Sequence, residues 1–477
     1  MISHPLPLPS LRPFDSLSAA ELRTACIRYL HTRRNLASPQ PVVRKWRVLK
    51  MQDQPRGSML LGFELLPGEQ HIMTYHTDGT VKIWDNCHLQ PPNKRNWSPD
   101  AAKGVYHDPT YVGRSLAAFD VGFPLGGAKH LVYGEEKRDI IVCALSNHMT
   151  LRGYDPLTMN SDTPTLFCIF RFIVEGVDQV TNQEIYRSSI RAGMALPGVS
   201  LSRDLAVLYI LGDAGRKFLV VNLNKKSQVT IAQALPLEDF PSFGLGHING
   251  PDFLFFFDQG GKLVVEAYLD LARHVPEASE AHSNLIVNLS YDVCKRIPCS
   301  TDQIIEWSRS TSVQRSRGHI LLSSMRRSVD GYKHGYLWSA KHIDIPELLR
   351  RLSCDLEPEN LIQDTKWAVH GLEWMVAGPA ENDLVTRSSG GTNLAWISSS
   401  DAEKPSTAHL KLEMVRLPLA GETIVDGSMS SSLRHLDVPV DLKRVNSIGF
   451  CGEEGVLGLG IKTAGGSREQ RIHLLTY

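Results

Sequence analysis

Thr77-Asp78-Gly79-Thr80-Val81-Lys82-Ile83-Trp84-Asp85 is a tight polar turn that runs straight into a short apolar strand. Its Asp-Gly pair suits a two-residue hairpin, because glycine has no Cβ to clash at positive φ and Asp tolerates the left-handed region. Strands for that hairpin to join lie immediately upstream. Residues 46–50, 59–65 and 71–75 are short runs rich in apolar and aromatic side chains, parted by polar connections. With 81–85 they make four strands within about 40 residues, which is the content of one propeller blade. The expectation is that these four form one sheet.

The hairpin recurs. Asp213-Ala214-Gly215 precedes Phe218-Leu219-Val220-Val221, Asp258-Gln259-Gly260-Gly261 precedes Leu263-Val264-Val265, and Asp330-Gly331 precedes Tyr336-Leu337-Trp338. Gly390-Gly391 leads into Leu394-Ala395-Trp396-Ile397, and Gly465-Gly466 into Ile472-His473-Leu474-Leu475. A weaker copy, without glycine in the turn, runs from Glu135 to Asp139 before Ile140-Ile141-Val142. Seven such hairpins at irregular intervals predict an all-β propeller of seven blades, with six and eight left open. A β-sandwich would also carry glycine hairpins, and that alternative stands at this point.

Residues 205–210 and 253–257 are apolar without alternation, as expected of strands covered on both faces. A dinucleotide-binding α/β domain also has such strands, but each must be followed by an amphipathic helix, and the sequence does not supply them. Residues 345–353 read as one short helix inserted between blades. Residues 86–112, 270–283 and 399–408 read as long loops rich in polar residues and proline.

Before the strands there is one helix with a written start. Ser18 is placed to cap it, Glu21 three residues on completes a capping box, and Leu17 is placed to staple onto Leu22. Leu22, Ala25, Cys26, Tyr29 and Leu30 fall at helical spacing as one apolar stripe. Pro39 and Pro41 end the helix. The chain therefore divides into a Pro-rich segment and helix over 1–41 and a propeller over 42–477.

Of the 477 residues, 42% are apolar and 21% charged, and 51 basic side chains balance 51 acidic ones. No bulk field draws the chain to nucleic acid or to an anionic membrane. The N-terminus has neither the basic nor the apolar region of a secretory signal, and no apolar run approaches the ~20 residues of a membrane span. A cytoplasmic or nuclear location is expected. Eight cysteines are scattered, only Cys294 and Cys299 lying close, so buried free thiols are expected rather than a metal site or a disulfide.

Residues 77–85 resemble the closing strand of a WD40 blade, although the other hairpins lack its Trp-Asp ending, and the resemblance implies a divergent, WD40-like propeller. The start of the chain carries a second resemblance. Leu6-Pro7-Leu8-Pro9, then Asp15 to Leu22, then Arg33-Arg34-Asn35-Leu36, is similar to the segment that joins the F-box to the propeller in fungal F-box proteins. Trp46-Arg47-Val48-Leu49 is similar to their first strand, and Ser447-Ile448-Gly449-Phe450 with Gly455 to Gly460 to their last blade. The resemblance implies a propeller that holds a protein client for a ubiquitin ligase assembled through a Skp-type adaptor and a cullin. The F-box that would dock on the adaptor is expected ahead of His4 and is not evident there.

Catalytic motifs are missing from the sequence: no nucleophile elbow, phosphate loop, dinucleotide fingerprint or zinc-protease helix is found. The expectation is a non-enzymatic binding protein with no cofactor, no metal, no catalytic residue and no nucleic-acid or membrane partner. The alternative is a propeller enzyme, glycosidase-like or quinone-dependent dehydrogenase-like, whose paired acids sequence cannot place. Trp97, Tyr106, Tyr111, Arg326 and Arg327 are candidate anchors for a protein partner, being the aromatic and arginine types that dominate such contacts.

Overall fold

The structure is a computed structural model. It describes residues 18–51, 58–66, 71–85, 113–133, 138–146, 164–175, 179–190, 195–212, 215–232, 243–247, 252–257, 263–268, 286–288, 294–299, 312–316, 319–328, 335–344, 369–376, 384–387, 393–398, 409–414, 432–436, 438, 440–451, 454–461 and 470–477.

Helix α1 (Ala19–Ala37) is followed by β1 (Lys45–Met51) and then by antiparallel meanders, one after another along the chain. The first sheet is β2 (Leu60–Leu65), β3 (His71–His76), β4 (Thr80–Asp85) and β5 (Ser115–Asp120); the second is β6 (Leu125–Tyr133), β7 (Arg138–Ser146), β8 (Thr165–Val174) and β9 (Val180–Ile190). The third is β10 (Ala195–Leu201), β11 (Leu205–Gly212), β12 (Gly215–Asn222) and β13 (Ser227–Ala232). The fourth is β14 (Phe243–His247), β15 (Asp252–Phe257), β16 (Leu263–Tyr268) and, after a short strand β17 (Ile286–Asn288), β18 (Cys294–Cys299). Strand β17 leaves that sheet and pairs in parallel with β13 of the third. The fifth is β19 (Ser312–Ser316), β20 (His319–Ser328), β21 (Gly335–Asp344) and β22 (Val369–Val376), and the sixth β23 (Leu384–Arg387), β24 (Asn393–Ser398), β25 (His409–Met414) and β26 (Ser432–Leu436). The seventh sheet of the described residues is β27 (Val445–Cys451), β28 (Val456–Ile461) and β29 (Gln470–Thr476), completed by β1.

This order defines a β-propeller. At four of the seams the first strands of neighbouring sheets lie side by side: β6 beside β10, β10 beside β14, and β27 beside both β2 and β23. The ring is closed by the two ends of the chain, since β1 pairs antiparallel with β29 from Lys45↔Thr476 to Met51↔Gln470. The pairing joins the first strand of the chain to the last and covers the outer side of β29 with β1. Each hairpin turn read from the sequence falls in a different sheet. The turn at Gly79 joins β3 to β4, and those at 213–215, 258–261, 330–331 and 465–466 join β11 to β12, β15 to β16, β20 to β21 and β28 to β29. The turns at 135–139 and 390–391 instead join the first and second strands of their sheets, β6 to β7 and β23 to β24.

Two expectations need correction. The run at 46–50 is a strand, but it belongs to the last sheet and not to the first, whose fourth strand is β5 beyond residue 112. A strand's partner is set by long-range closure, which local sequence does not encode. The stripe of α1 is also rotated from its predicted position. Ala25, Thr32 and Leu36 are buried, whereas Leu30 is 63% exposed. The helix runs on to Ala37, and Leu36 anchors it in the apolar cluster that holds Trp46, Leu410, Leu457 and Tyr477. The burial axis therefore passes through 25, 29, 32 and 36, and Leu30 lies well off it. The capping box forms as read: Oγ of Ser18 accepts from the N–H of Glu21 (3.2 Å), and the Glu21 carboxylate accepts from the N–H of Ser18 (2.8 Å). Leu17, the helix at 345–353 and the loops at 86–112, 270–283 and 399–408 lie outside the described residues.

The core lies between sheets. Ile83, Val121, Ile140, Val142, Phe170 and Phe172 fill the seam of the first and second, while Ile141, Phe167, Ile169, Leu208 and Val221 fill that of the second and third. Leu205, Ala206, Val207 and Leu208 of β11 are all fully buried, which explains their unbroken apolar run.

Candidate functional site

The turn at Gly79 also organises a polar cluster. Gly79 has φ of 98°, and its N–H donates to the carbonyl of His76 (3.1 Å). Oδ1 of Asp78 accepts from the N–H of Thr80 (3.0 Å), closing an Asx turn. The connection from β5 to β6 crosses this turn: the N–H of Val121 donates to Gly79 (3.1 Å) and that of Leu125 to Thr77 (3.3 Å). A Cβ on Gly79 would overlap the carbonyl of Phe123, so both φ and space demand glycine here.

Beneath the turn, Nε1 of Trp84 donates to Oγ1 of Thr74 (2.8 Å), and that hydroxyl shares a second hydrogen bond with Nε2 of His76 (2.9 Å). All three side chains are buried. Burial first, and the charge of Lys82 second, lower the His76 pKa to about 4, outweighing the opposite pull of Asp78. The ring is therefore neutral at pH 7. Next to it, the hydroxyl of Tyr75 lies 3.2 Å from Nδ1 of His130 on β6, tying the first sheet to the second. Burial, with the Glu64 carboxylate behind it, raises the Tyr75 pKa, and burial lowers that of His130.

At the ring closure, Nε1 of Trp46 donates to Nδ1 of His473 (3.2 Å), and the rings stack with centroids 5.8 Å apart. Burial, then Arg471, lower the His473 pKa to about 3, which keeps Nδ1 free to accept. On the outer strand β9, Arg187 pairs with Glu184 (2.7 Å), donates to the carbonyl of Val121 and stands 6.0 Å over the ring of Phe123.

These groups are held in their uncharged or paired forms and bind parts of the fold to one another. The thiols follow the same rule. Cys143 and Cys168 are buried and free, and burial pushes both pKa values up, that of Cys168 to about 12. Neither is a thiolate at pH 7, so neither is activated as a nucleophile. Cys294 and Cys299 open and close β18. Five residues of strand rise separate them by ~17 Å, against the ~5.5 Å between the Cα atoms of a disulfide. Among the described residues, no group of three His, Cys, Asp or Glu is placed to hold a metal ion, and no helix is long and apolar enough to cross a membrane.

Of the candidate anchors, Trp97, Tyr106 and Tyr111 lie outside the described residues. Arg326 and Arg327 are strand residues of β20, opposite Leu337 and Tyr336 of β21. Sequence reading passed over Thr74, His76, His130 and His473, whose only advance signal was a polar residue inside an otherwise apolar strand.

No protein-family model matches the chain, and no curated protein matches it. Solved structures that resemble it include the WD40 domain of SCAP from fission yeast, at 11% identity and a TM-score of 0.37, covering 89% of this chain and 82% of that one. Another is the β-propeller domain of Cps50 (Swd1) from Myceliophteria thermophila, at 11% identity and a TM-score of 0.42, covering 89% and 98%. A chain of the mitotic checkpoint complex is 9% identical with a TM-score of 0.38, covering 91% and 96%. The propeller assignment rests on this chain's own strand order and ring closure.

Proposed function

We propose that the chain is a non-catalytic propeller that presents loops on rigid blades to a protein client. The observation that carries this reading is how the buried perturbed groups among the described residues are used. Tyr75, His76, His130, Cys143, Cys168 and His473 are all held neutral by burial inside or between sheets. An enzyme needs acids, bases or nucleophiles with shifted pKa values gathered where substrate reaches them. Here the shifts serve packing, which suits a rigid support for binding loops. In this reading residues 1–41 carry the lead and helix, residues 42–477 form the propeller, and the 86–112 segment, with Trp97, Tyr106 and Tyr111, contributes to the client surface.

The likeness of residues 6–36 and 447–460 to fungal F-box proteins extends the proposal. The client would be one presented to a ubiquitin ligase of the Skp–cullin type, in the cytoplasm or nucleus. Affinity purification of the full chain with mass spectrometry tests both levels. A stoichiometric client with adaptor and cullin supports the ligase role, and a client without them supports the binding role alone. Recovery of no stable protein partner would sink both.

A further inference from the structure

The outward face of α1 has a composition that the fold does not use. Residues 20, 23, 24, 27, 30, 31 and 34 share one side of the helix, opposite the buried Ala25, Thr32 and Leu36, and each of them is exposed. In the middle of this face stand Ile27, 45% exposed, and Leu30, 63% exposed. They are among the most exposed large apolar side chains of the described residues. Arg23 lies one turn before Ile27 and Arg34 one turn after Leu30, which gives a single stripe in the order Arg, Ile, Leu, Arg. His31 and Arg28 flank it. The helix has one carboxylate, Glu21, which is spent on the Ser18 cap. Arg23, Arg28 and Arg34 make no ion pair among the described residues.

The helix itself is firmly seated, so the face is presented in a fixed orientation. Nδ2 of Asn35 donates to the carbonyl of Val42 (2.8 Å), and Oδ1 accepts from the N–H of Val42 (3.0 Å). Arg434 of β26 donates to the carbonyl of Ala37 (3.2 Å). A Cβ on Gly455 would overlap Thr32, which shows how closely the helix meets the turn between β27 and β28.

From this we infer that the outward face of α1 docks an acidic amphipathic helix of a protein partner, whose apolar residues cover Ile27 and Leu30 while its carboxylates meet Arg23 and Arg34. The inference rests on the binding role proposed above and adds a second surface to it. Charge selects the occupant. A second copy of the chain would set arginines against arginines. Residues 1–17 carry one acid, Asp15, against one base, Arg12, and cannot neutralise the stripe. An anionic membrane or a nucleic acid would meet the arginines but leave no specific partner for the two central apolar side chains, which are too small a patch to anchor a helix in lipid.

The test replaces Leu30 in the full chain with a photo-crosslinking amino acid and maps the adduct in the cells that make the protein. The expected adduct is a protein segment rich in Asp and Glu with apolar residues at helical spacing, and it disappears in R23E/R34E. A synthetic peptide of that segment should bind the purified chain in fluorescence anisotropy and lose at least about tenfold in affinity with R23E/R34E, as close interfacial charge pairs imply. Swapping the peptide's acids for lysine should restore binding to R23E/R34E. Unchanged thermal unfolding of R23E/R34E shows that the fold is intact. An adduct to the chain itself, to a second copy, to lipid or to nucleic acid overturns the proposal, as does no adduct or one indifferent to charge reversal. If a client still co-purifies with R23E/R34E while no Leu30 adduct forms, the propeller reading stands and this one falls.

Discussion

Two seams of the ring are built by different means. Where the seventh sheet meets the first, the chain crosses only from β1 to β2, β27 to β29 being joined to β1 by strand pairing alone, and the contact is apolar and close: Phe63 of β2 lies on Gly449 and Gly458, which face each other across β27 and β28. Leu49, Ile72, Trp84, Ile472 and Leu474 fill in around it. Where the first sheet meets the second, the chain runs straight across, and polar ties join the rim. Asn182 donates to the carbonyl of Ala118 (2.9 Å), Arg187 holds Val121, and Tyr75 meets His130, while Phe119 stacks on Phe170 within. Strands β27 to β29 reach the first sheet only through packing and the β1–β29 ladder, so their hold on it comes from area and fit. Between the first and second sheets the chain leads from the outer strand β5 into β6, and polar contacts there position that connection.

The largest expected effect is at the closure. Trp46→Ala removes a buried ring from the cluster shared by the last two sheets and leaves Nδ1 of His473 without its donor. A loss of ~3–5 kcal/mol is expected in urea unfolding. Trp46→Phe, which keeps most of the volume but drops the N–H, should lie between. A cost for Trp46→Ala no greater than that of a surface change would mean that the β1–β29 ladder closes the ring unaided.

Next comes the glycine pair. A Cβ on Gly458 would overlap the Phe63 ring, and one on Gly449 would lie 2.9 Å from it. Gly458→Val is expected to cost ~1–3 kcal/mol by overpacking. Combined with Phe63→Ala it should cost less than the sum of the two single changes, because the second makes room for the first. Strict additivity would show that Phe63 and Gly458 do not compete for one space.

These two seams also mark the limit of what the sequence conveyed. The turn at Gly79 and the unbroken apolar run of β11 were legible because local backbone geometry and burial on both faces impose their own patterns. Gly449, Gly458 and Gly460 are strand residues that read equally well as turns, since nothing nearby reveals the Phe63 ring for which two of them make space. Trp46 was placed in the wrong sheet because its partner, His473, enters more than 400 residues later. The polar clusters fared worse, as Thr74, His76 and His130 carry no spacing signature. The face of α1 was legible only as an error, Leu30 having been assigned to the side that packs.

Acid should act on both regions through their buried imidazoles. The unfolded rings of His76 and His473 bind a proton near pH 6.5, whereas the folded ones do so only at about 4 and about 3. Between those limits the unfolded state holds more protons, so stability falls as pH falls from 6.5 towards 4. Each ring contributes at most ~1.4 kcal/mol per pH unit. Unfolding midpoints at pH 7.5, 6.5, 5.5 and 4.5 should show that slope, and His473→Asn, which keeps an acceptor for Trp46, should flatten it. A profile identical in His473→Asn would remove His473 from the account.

The smallest global effect is expected at Arg187, where the two seams differ most in kind. Its carboxylate partner Glu184 is on the same strand, and the two side chains are 41% and 42% exposed, so the ion pair itself adds little in water. What Arg187 does across the seam is hold the carbonyl of Val121 and shelter Phe123. Arg187→Ala is therefore expected to cost less than ~1 kcal/mol in global unfolding. In the same variant, hydrogen exchange should speed up at the amides of Val121 and Leu125, which bond the turn at Thr77 and Gly79. Arg187→Lys should speed them too, because a lysine keeps the charge but loses the planar fork that reaches Val121 and Glu184 together. If Arg187→Ala instead unfolds the chain as readily as Gly458→Val, the seam of the first and second sheets depends on its polar ties for stability, and the contrast between fit at one seam and positioning at the other fails.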